Sequence, residues 1–355
     1  MSEIRPHIEV GVLGGTGMVG QHFIRFLENH PWFRLGWIGA SERSAGRAYA
    51  EATNWRLDGV MPAAVRGIRV SEARPGKGAP RVLFSAMDAA AATEIEQAFA
   101  AAGHVVVSNS RNHRMEPDVP LLVPEVNPDH LTMIPHQQRR RGWEGMIVTN
   151  PNCSTVVLAL ALAPLRRFGI SRVLASTMQA VSGAGYPGVA SMDIQGNVVP
   201  FISGEEEKMQ QETQKILGDF AASPPAIHPL AAKVSASCHR VPVVDGHTVA
   251  ISVELRDCPA MGEIAGAMAG FQSHPQQRKL PSAPPHPIIV MDEADRPQPR
   301  RDSGRENGMA VFVGRIRTCP VLSCKFVALG HNTIRGAAGA AVLNAELMMT
   351  EGLLS

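Results

Sequence analysis

The run Gly15-Thr16-Gly17-Met18-Val19-Gly20 lies between an apolar stretch, IEVGVLGG, and a helix-like one, MVGQHFIRFLENH. No other feature of this chain constrains its fold as strongly. Glycines at the first, third and sixth positions allow a tight turn and let backbone N–H groups approach a pyrophosphate, whose charge the following helix N-terminus favours. Such a match is weak alone; the strand before it and the helix after it make it a dinucleotide-binding pattern rather than a merely structural turn. The first third then alternates in the same way. FRLGWIGA reads as a second strand, RVLFSAM as a later one, ATEIEQAFAAAG as a helix and HVVVSNS as another strand. That alternation predicts a parallel sheet covered by helices. In the first helix Val19, Phe23, Phe26 and Leu27 are expected on the inward face.

The end of the second strand bears on the cofactor. A carboxylate there takes the ribose 2′-hydroxyl of NAD. Here the chain runs Gly39-Ala40-Ser41-Glu42-Arg43-Ser44. Ser41, Arg43 and Ser44 suit a 2′-phosphate, Arg43 with a planar, permanently charged fork. NADP is therefore expected; Glu42, if turned inward, would favour NAD.

Past residue 150 the texture changes. VLASTMQAVSG, HTVAISVEL and GMAVFVGRIR are longer, partly alternating strand candidates, separated by proline-rich loops. The reading is an α/β chain: residues 1–150 form a dinucleotide-binding domain, completed by an alanine-rich C-terminal helix within 331–355, and residues 151–330 form an α+β catalytic and dimerisation domain. SHPQQRKLPSAPPHP and DRPQPRRDSGREN read as exposed connections, and Arg139–Arg141 as a solvated loop. A net charge of +2 and 5% aromatics leave no footprint for nucleic acid or a membrane surface, and no apolar run is long enough to span a bilayer. The start, MSEIRPHIEV, does not read as a signal peptide. Five scattered cysteines without C-x-x-C pairing fit a reducing, cytoplasmic setting and offer no zinc site.

One cysteine stands apart. TNPNCSTVVLAL places Cys153 after a Pro-Asn turn and before an apolar run reaching Gly169, with Asn152 or Ser154 suited to cap a buried helix. Free cysteines are mostly small buried hydrophobes. At a helix start, however, the partial positive charge of the first N–H groups favours a thiolate. With a nicotinamide nearby, a thiolate can capture an activated acyl group as a thioester, which a hydride reduces to an aldehyde. That chemistry needs an acid/base, a cation for a carboxylate and an anion site. Arg240 and His247 flank a turn at Asp245-Gly246, and a hairpin there would carry both to one end of a sheet. His239 competes with His247 by residue type. For the anion, Glu205 and Lys208 at i, i+3 start a polar helix, and Arg111 and Arg114 follow a strand end.

The ordered set GGTGMVG, SNSRNHRMEPDVPLLVPEVNP, NPNCSTVVLALALAPL, QAVSGAGYPGV, ISGEEEKM, CHRVPVVDGH and HNTIRGAAGAAVLNAE resembles the aspartate-semialdehyde dehydrogenases of the archaeal and fungal-type branch, over nearly the whole chain. The resemblance implies a Rossmann-like first domain and NADPH-dependent reduction of L-aspartyl 4-phosphate to L-aspartate 4-semialdehyde, toward lysine, methionine and threonine. It implies Cys153 as nucleophile, His247 as acid/base and Gln179 as the residue orienting the substrate. Arg240 and Glu205 would bind the amino-acid end, and Arg114, Lys208 and Asn152 the acyl phosphate. Gly14, Gly15, Thr16, Gly17, Met18 and Val19, with Ser41, Arg43 and Ser44, would bind NADP. Ser85, Ser182, Gly183 and Asn332 would lie along its ribose and nicotinamide. A homodimer or homotetramer through the second domain is implied, and no metal. Departures are the extra charge in QPRRDSGRENGMAV, Gly330 where a serine is common, and the insertion around Arg139–Arg141. The alternatives are an acyl-CoA reductase of the malonyl-CoA type, using the same cysteine and histidine, and a non-catalytic dinucleotide-binding sensor.

Overall fold

The computed structural model describes residues 7–76 and 78–354, so the first six residues of MSEIRPHIEV lie outside the described residues. The chain divides into two compact units. The first comprises the chain up to Pro120, Leu131–Asn150 and the segment from Ala341; the second comprises Leu121–His130 and Pro151–Ala340.

In the first unit six parallel strands form one sheet: β1 (Ile8–Leu13), β2 (Phe33–Ala40), β3 (Ser71–Glu72), β4 (Val82–Ser85), β5 (Val105–Ser108) and β6 (Met146–Thr149), in the order β3-β2-β1-β4-β5-β6. Sequences such as VLFS and VVVS are buried at every position, as strands covered on both faces must be. The order reverses between β1 and β4, and ligands of such sheets bind outside the strand ends at that switch. The glycine turn leaves β1 at this point, and Ser85 ends β4. Its helix, Met18–Leu27, buries Gly20, Gln21, Phe23, Ile24 and Leu27, whereas Val19 and Phe26 are only half-buried. The inward face is thus rotated from the expected one. Gly20 causes this: a Cβ there would lie 2.3 Å from the Gly14 carbonyl oxygen, so the helix presses its glycine face onto the turn.

Arg139–Arg141 is not a loop. It closes the helix Ile134–Arg141, which ends at Gly142 in the left-handed region (φ 67°). Basic residues suit a helix C-terminus, and Arg141 is anchored to the buried Asp118 by two hydrogen bonds of 2.6 and 2.7 Å.

The second unit holds a mixed sheet and a small hairpin. Its strands are β7 (Ile170–Gln179), β8 (Asp219–Ala222), β9 (Pro225–His228), β10 (Lys233–Arg240), β11 (His247–Leu255), β12 (Ile288–Met291), β13 (Val311–Thr318) and β14 (Cys324–Gly330). The sheet runs β10-β7-β11-β14-β13-β12; β8 pairs with β9 separately. The helix Cys153–Leu162 is buried at every position after Cys153, and its apolar side chains form one core with Val173, Val249, Ile251, Val253 and Phe326 of the sheet. A helix apolar all round is one enclosed on all sides. Gly330 is explained by the same packing, because a Cβ there would lie 2.6 Å from Val157 Cγ2. The stretch DRPQPRRDSGREN, expected to be exposed, folds around a fully buried Asp302 that accepts from Arg296 Nε (2.8 Å) and the Gln298 N–H (2.7 Å). Among the described residues no helix is long and apolar enough to cross a membrane, and no three side chains are grouped to hold a metal.

Candidate active site

Asn152 caps the Cys153 helix: its Oδ1 accepts from the Ser154 and Thr155 N–H groups at 2.9 and 3.2 Å. Cys153 thus occupies the first helical position, where the backbone dipoles favour a thiolate. Its Sγ lies 3.2 Å from His247 Nε2. His247 is fully buried, and the Ala180 N–H donates to its Nδ1 at 3.1 Å. Burial, then the Arg240 guanidinium and His331, push its pKa down to about 3 against the pull of the Gly246 carbonyl. The imidazole is therefore neutral at pH 7, able to take a proton only in a step that supplies a strong enough acid.

Arg240 and His247 come together, but not by the expected hairpin. β7 runs between β10 and β11, parallel to the first and antiparallel to the second. Arg240 pairs with Gln179 and Thr248 with Met178, so Arg240, Gln179 and His247 share one end of the sheet. Residues 241–246 cross the end of β7, held by the Val241 N–H on the Gln179 carbonyl (3.0 Å) and the Val181 N–H on the Val243 carbonyl (2.8 Å). Skipping one strand means covering about 10 Å, two strand spacings, which six residues span easily. Alternation removes the competitor. Cys238 and Arg240 are buried on one face of β10, while the His239 side chain turns the other way and bonds the Thr177 carbonyl at 3.0 Å.

Around the nucleophile, Arg240 Nη1 donates to the Ala180 carbonyl at 2.8 Å; burial lowers its pKa, which Cys153 and Glu205 oppose. Glu205 accepts from Asn152 Nδ2 at 2.6 Å and pairs with Lys208 Nζ at 3.1 Å. Gln179, 1% exposed, reaches the Thr177 hydroxyl at 3.4 Å. Ser182 and Gly183 follow in a tight turn, Val181–Ala184. A Cβ on Gly183 would lie 2.8 Å from Arg240 Nη1 and 2.9 Å from His247 Nε2. Only a residue without a Cβ can pack this close to both side chains. Asn332 was expected beside the cofactor. Both ends of its amide are committed inside the second unit, Oδ1 accepting from the Gly246 N–H and Nδ2 donating to Ser182 Oγ, each at 2.8 Å.

In the first unit, Gly14 takes a left-handed φ of 72°, and a Cβ on it would strike the Ala86 carbonyl at 2.6 Å. Gly17, the N-cap of the helix that Met18 and Val19 begin, makes no side-chain capping bond, and helix N-termini are the places where backbone N–H groups and dipole favour an anion. The turn's carbonyls are tied back: Tyr49 Oη bonds that of Gly15 at 2.8 Å and Thr53 Oγ1 that of Thr16 at 3.1 Å. Neither partner was legible in the sequence. Ser41 and Arg43 are exposed and Ser44 half-buried in a turn after β2, with the Ser44 N–H on the Ser41 carbonyl at 2.9 Å. Ser85 keeps its hydroxyl inside the unit, donating it to the buried Glu96 at 2.5 Å. Arg114 is nearly buried, its Nη2 on the Asn109 carbonyl at 2.9 Å.

Residues 9–134 match the family described as semialdehyde dehydrogenase, NAD binding domain, and residues 162–335 match semialdehyde dehydrogenase, dimerisation domain. The chain is 53% identical over 345 residues to an aspartate-semialdehyde dehydrogenase of Methanothermobacter thermautotrophicus, covering 96% of this chain and 99% of that one. The chain belongs to the aspartate-semialdehyde dehydrogenase family. A fungal member, from Cryptococcus neoformans, is 49% identical and is covered, like this chain, to 99%. The crystal structure of aspartate-semialdehyde dehydrogenase with NADP from Candida albicans superposes with a TM-score of 0.91 at 42% identity, over 98% of this chain and all of that one. Within this family, the glycine turn of the first unit falls in the NAD-binding domain, and Gln179, Arg240 and His247 fall in the dimerisation domain. Cys153 lies between the two matched ranges.

Proposed function

We propose that the protein reduces L-aspartyl 4-phosphate to L-aspartate 4-semialdehyde through a thioester on Cys153, as a step toward lysine, methionine and threonine. The observation that carries this is the 3.2 Å contact between Cys153 Sγ and a buried, neutral His247 at a capped helix N-terminus. The glycine turn, whose Cβ-free surface and uncapped helix start fit a dinucleotide, would hold NADPH, with Arg43 on its 2′-phosphate. Bound NADPH supplies the hydride.

The chain's own groups carry the other steps. The Cys153 thiolate attacks the acyl carbon, the carbon–oxygen bond to phosphate breaks, and phosphate departs with the bonding pair. Arg114 and Lys208 offset the charge of the leaving group, while Arg240 grips the substrate carboxylate as a two-pronged donor and Glu205 takes the ammonium. Gln179 orients the acyl group. His247, at hydrogen-bond distance from Sγ, holds a proton for the oxygen that becomes negative when the thioester carbonyl is reduced. Collapse of that adduct expels the Cys153 thiolate and frees the aldehyde. A homodimer or homotetramer through the second unit is part of this reading, supported by Leu174 and Met178 standing exposed on β7.

The test runs the reaction backwards. Purified protein, L-aspartate semialdehyde, NADP and phosphate should give phosphate-dependent nucleotide reduction, absent in Cys153→Ala. Oxidation of malonate semialdehyde with CoA instead would assign an acyl-CoA reductase. Nucleotide binding with neither reaction would leave a sensor.

A further inference from the structure

We propose that Glu212 is a positioning residue for the nucleophile, its carboxylate fixing the point where the chain enters the Cys153 helix. The inference rests on the cysteine chemistry above. Helix starts leave N–H groups without intrahelical partners, and that of the capping residue is commonly met by a glutamate at the third helical position, reaching back. Here that position is Thr155, which has no carboxylate. The Asn152 N–H is met instead from another helix, Glu205–Ile216, by Glu212 Oε2 at 2.6 Å. The capping box is completed across 60 residues of chain.

The supporting helix is built for this. Glu205, Met209, Glu212, Thr213 and Ile216 form one buried stripe, at i, i+4, i+7, i+8 and i+11, with Lys215 also buried at its flank. Two turns separate the carboxylates, so Glu205 takes the side-chain amide of Asn152 (2.6 Å) and Glu212 its main chain. With Asn152 Oδ1 already on Ser154 and Thr155, the main-chain N–H and both ends of the side chain of the residue before Cys153 are held. Glu212 is 2% exposed. Burying a carboxylate costs far more than burying a leucine of similar size unless strong hydrogen bonds compensate, and a short bond from a backbone N–H is of that kind.

The test compares Glu212→Ala, which removes the acceptor, with Glu212→Gln, which keeps an acceptor oxygen. Two readouts are taken: kinetics of semialdehyde oxidation, and the rate at which iodoacetamide labels Cys153, followed by the mass of its peptide. In Glu212→Ala kcat should fall about 10- to 100-fold, the scale of an ångström-sized misplacement, with KM for semialdehyde and NADP within about threefold of wild type. Cys153 labelling should change by a comparable factor while that of the exposed Cys258 does not. Glu212→Gln should restore most of both. Wild-type kcat and labelling in Glu212→Ala would overturn the proposal, as would equal losses in the two variants. Should Glu212→Ala fail to fold, Glu212→Asp carries the test: it keeps the charge but withdraws the acceptor by one methylene, and an unchanged kcat there is equally fatal. A wild type silent toward the semialdehyde would count against the proposed reaction, and the labelling arm would then decide about Glu212 alone.

Discussion

Gly336 offers the sharpest test of how the nucleophile is placed. A Cβ at this position would lie 2.6 Å from Cys153 Cβ and 3.0 Å from its Cα, where carbon atoms normally rest at about 3.5–4.0 Å. Gly336→Ala must open that gap by about 1 Å. Gly336 cannot easily retreat. It sits in a π-helical turn, Ile334–Ala338, with its N–H on the His331 carbonyl at 2.9 Å, and its neighbour Arg335 is pinned by two bonds, 2.8 and 2.6 Å, to the buried Glu125. The displacement therefore falls largely on Cys153, whose 3.2 Å contact with His247 lengthens out of hydrogen-bond range. A misplacement of about 1 Å costs on the order of 10²-fold, or about 2.7 kcal/mol of transition-state stabilisation. Overpacking adds about 1–3 kcal/mol of lost stability. The assay is kcat/KM for phosphate-dependent semialdehyde oxidation, with urea unfolding alongside. Gly262→Ala is the control, because a Cβ there meets nothing within 4 Å. If Gly336→Ala kept kcat/KM within about threefold of wild type, the argument from close contact to catalytic placement would be wrong.

Three further outcomes are expected. His247 is held neutral, its pKa down to about 3 against about 6.5 in an unfolded chain. The unfolded state thus binds the extra proton first, and the stability due to this group is complete above pH 6.5 and lost as pH falls toward 3, reaching about 2 kcal/mol at pH 5. Urea midpoints at pH 7 and pH 5 should therefore differ less in His247→Gln than in wild type; identical pH dependence would contradict the depressed pKa. Arg43→Ala should raise KM for NADP about 10- to 100-fold, the worth of a hydrogen bond to a charged group, and leave KM for NAD unchanged; equal changes for both nucleotides would remove Arg43 from the 2′-phosphate. Arg335→Met strands the buried Glu125 carboxylate and should cost about 3–5 kcal/mol of unfolding free energy, most of it recovered in the double variant with Glu125→Leu; a double variant no more stable than the single one would show that the pair acts through something other than its charge.

What was legible in the sequence, and what was not, follows the reach of each physical signal. The glycine turn and the parallel first sheet depend on residues within a few positions of one another and were readable, and the cap of the Cys153 helix was narrowed to Asn152 or Ser154, of which the structure selects Asn152. Also readable was β11 as a partly alternating strand; that His247 is buried at its start was not. Signals that depend on a third partner were misread. Arg240 and His247 look like the two arms of a hairpin because their spacing is short, yet periodicity carries no information about a strand inserted between them. Arg141 and Asp302 looked solvated because charge is normally exposed; their partners, Asp118 and Arg296, are 23 and 6 residues away, whereas Arg139 and Arg140 are exposed as expected. Phe23 and Leu27 of the first helix face inward as expected, but Val19 and Phe26 were misplaced because hydrophobicity was weighed and close approach was not, and Gly20, with no side chain, meets the turn. Glu212 had a visible signal that went unused. In EEEKMQQETQKI the apolar residues Met209 and Ile216 are seven apart, and Glu205 and Glu212 fall on the same stripe. A polar helix that places two acids on its only apolar face needs donors inside the protein to receive them. The NPNC turn, with an N-cap main-chain N–H and no glutamate three residues on, is a donor of that kind.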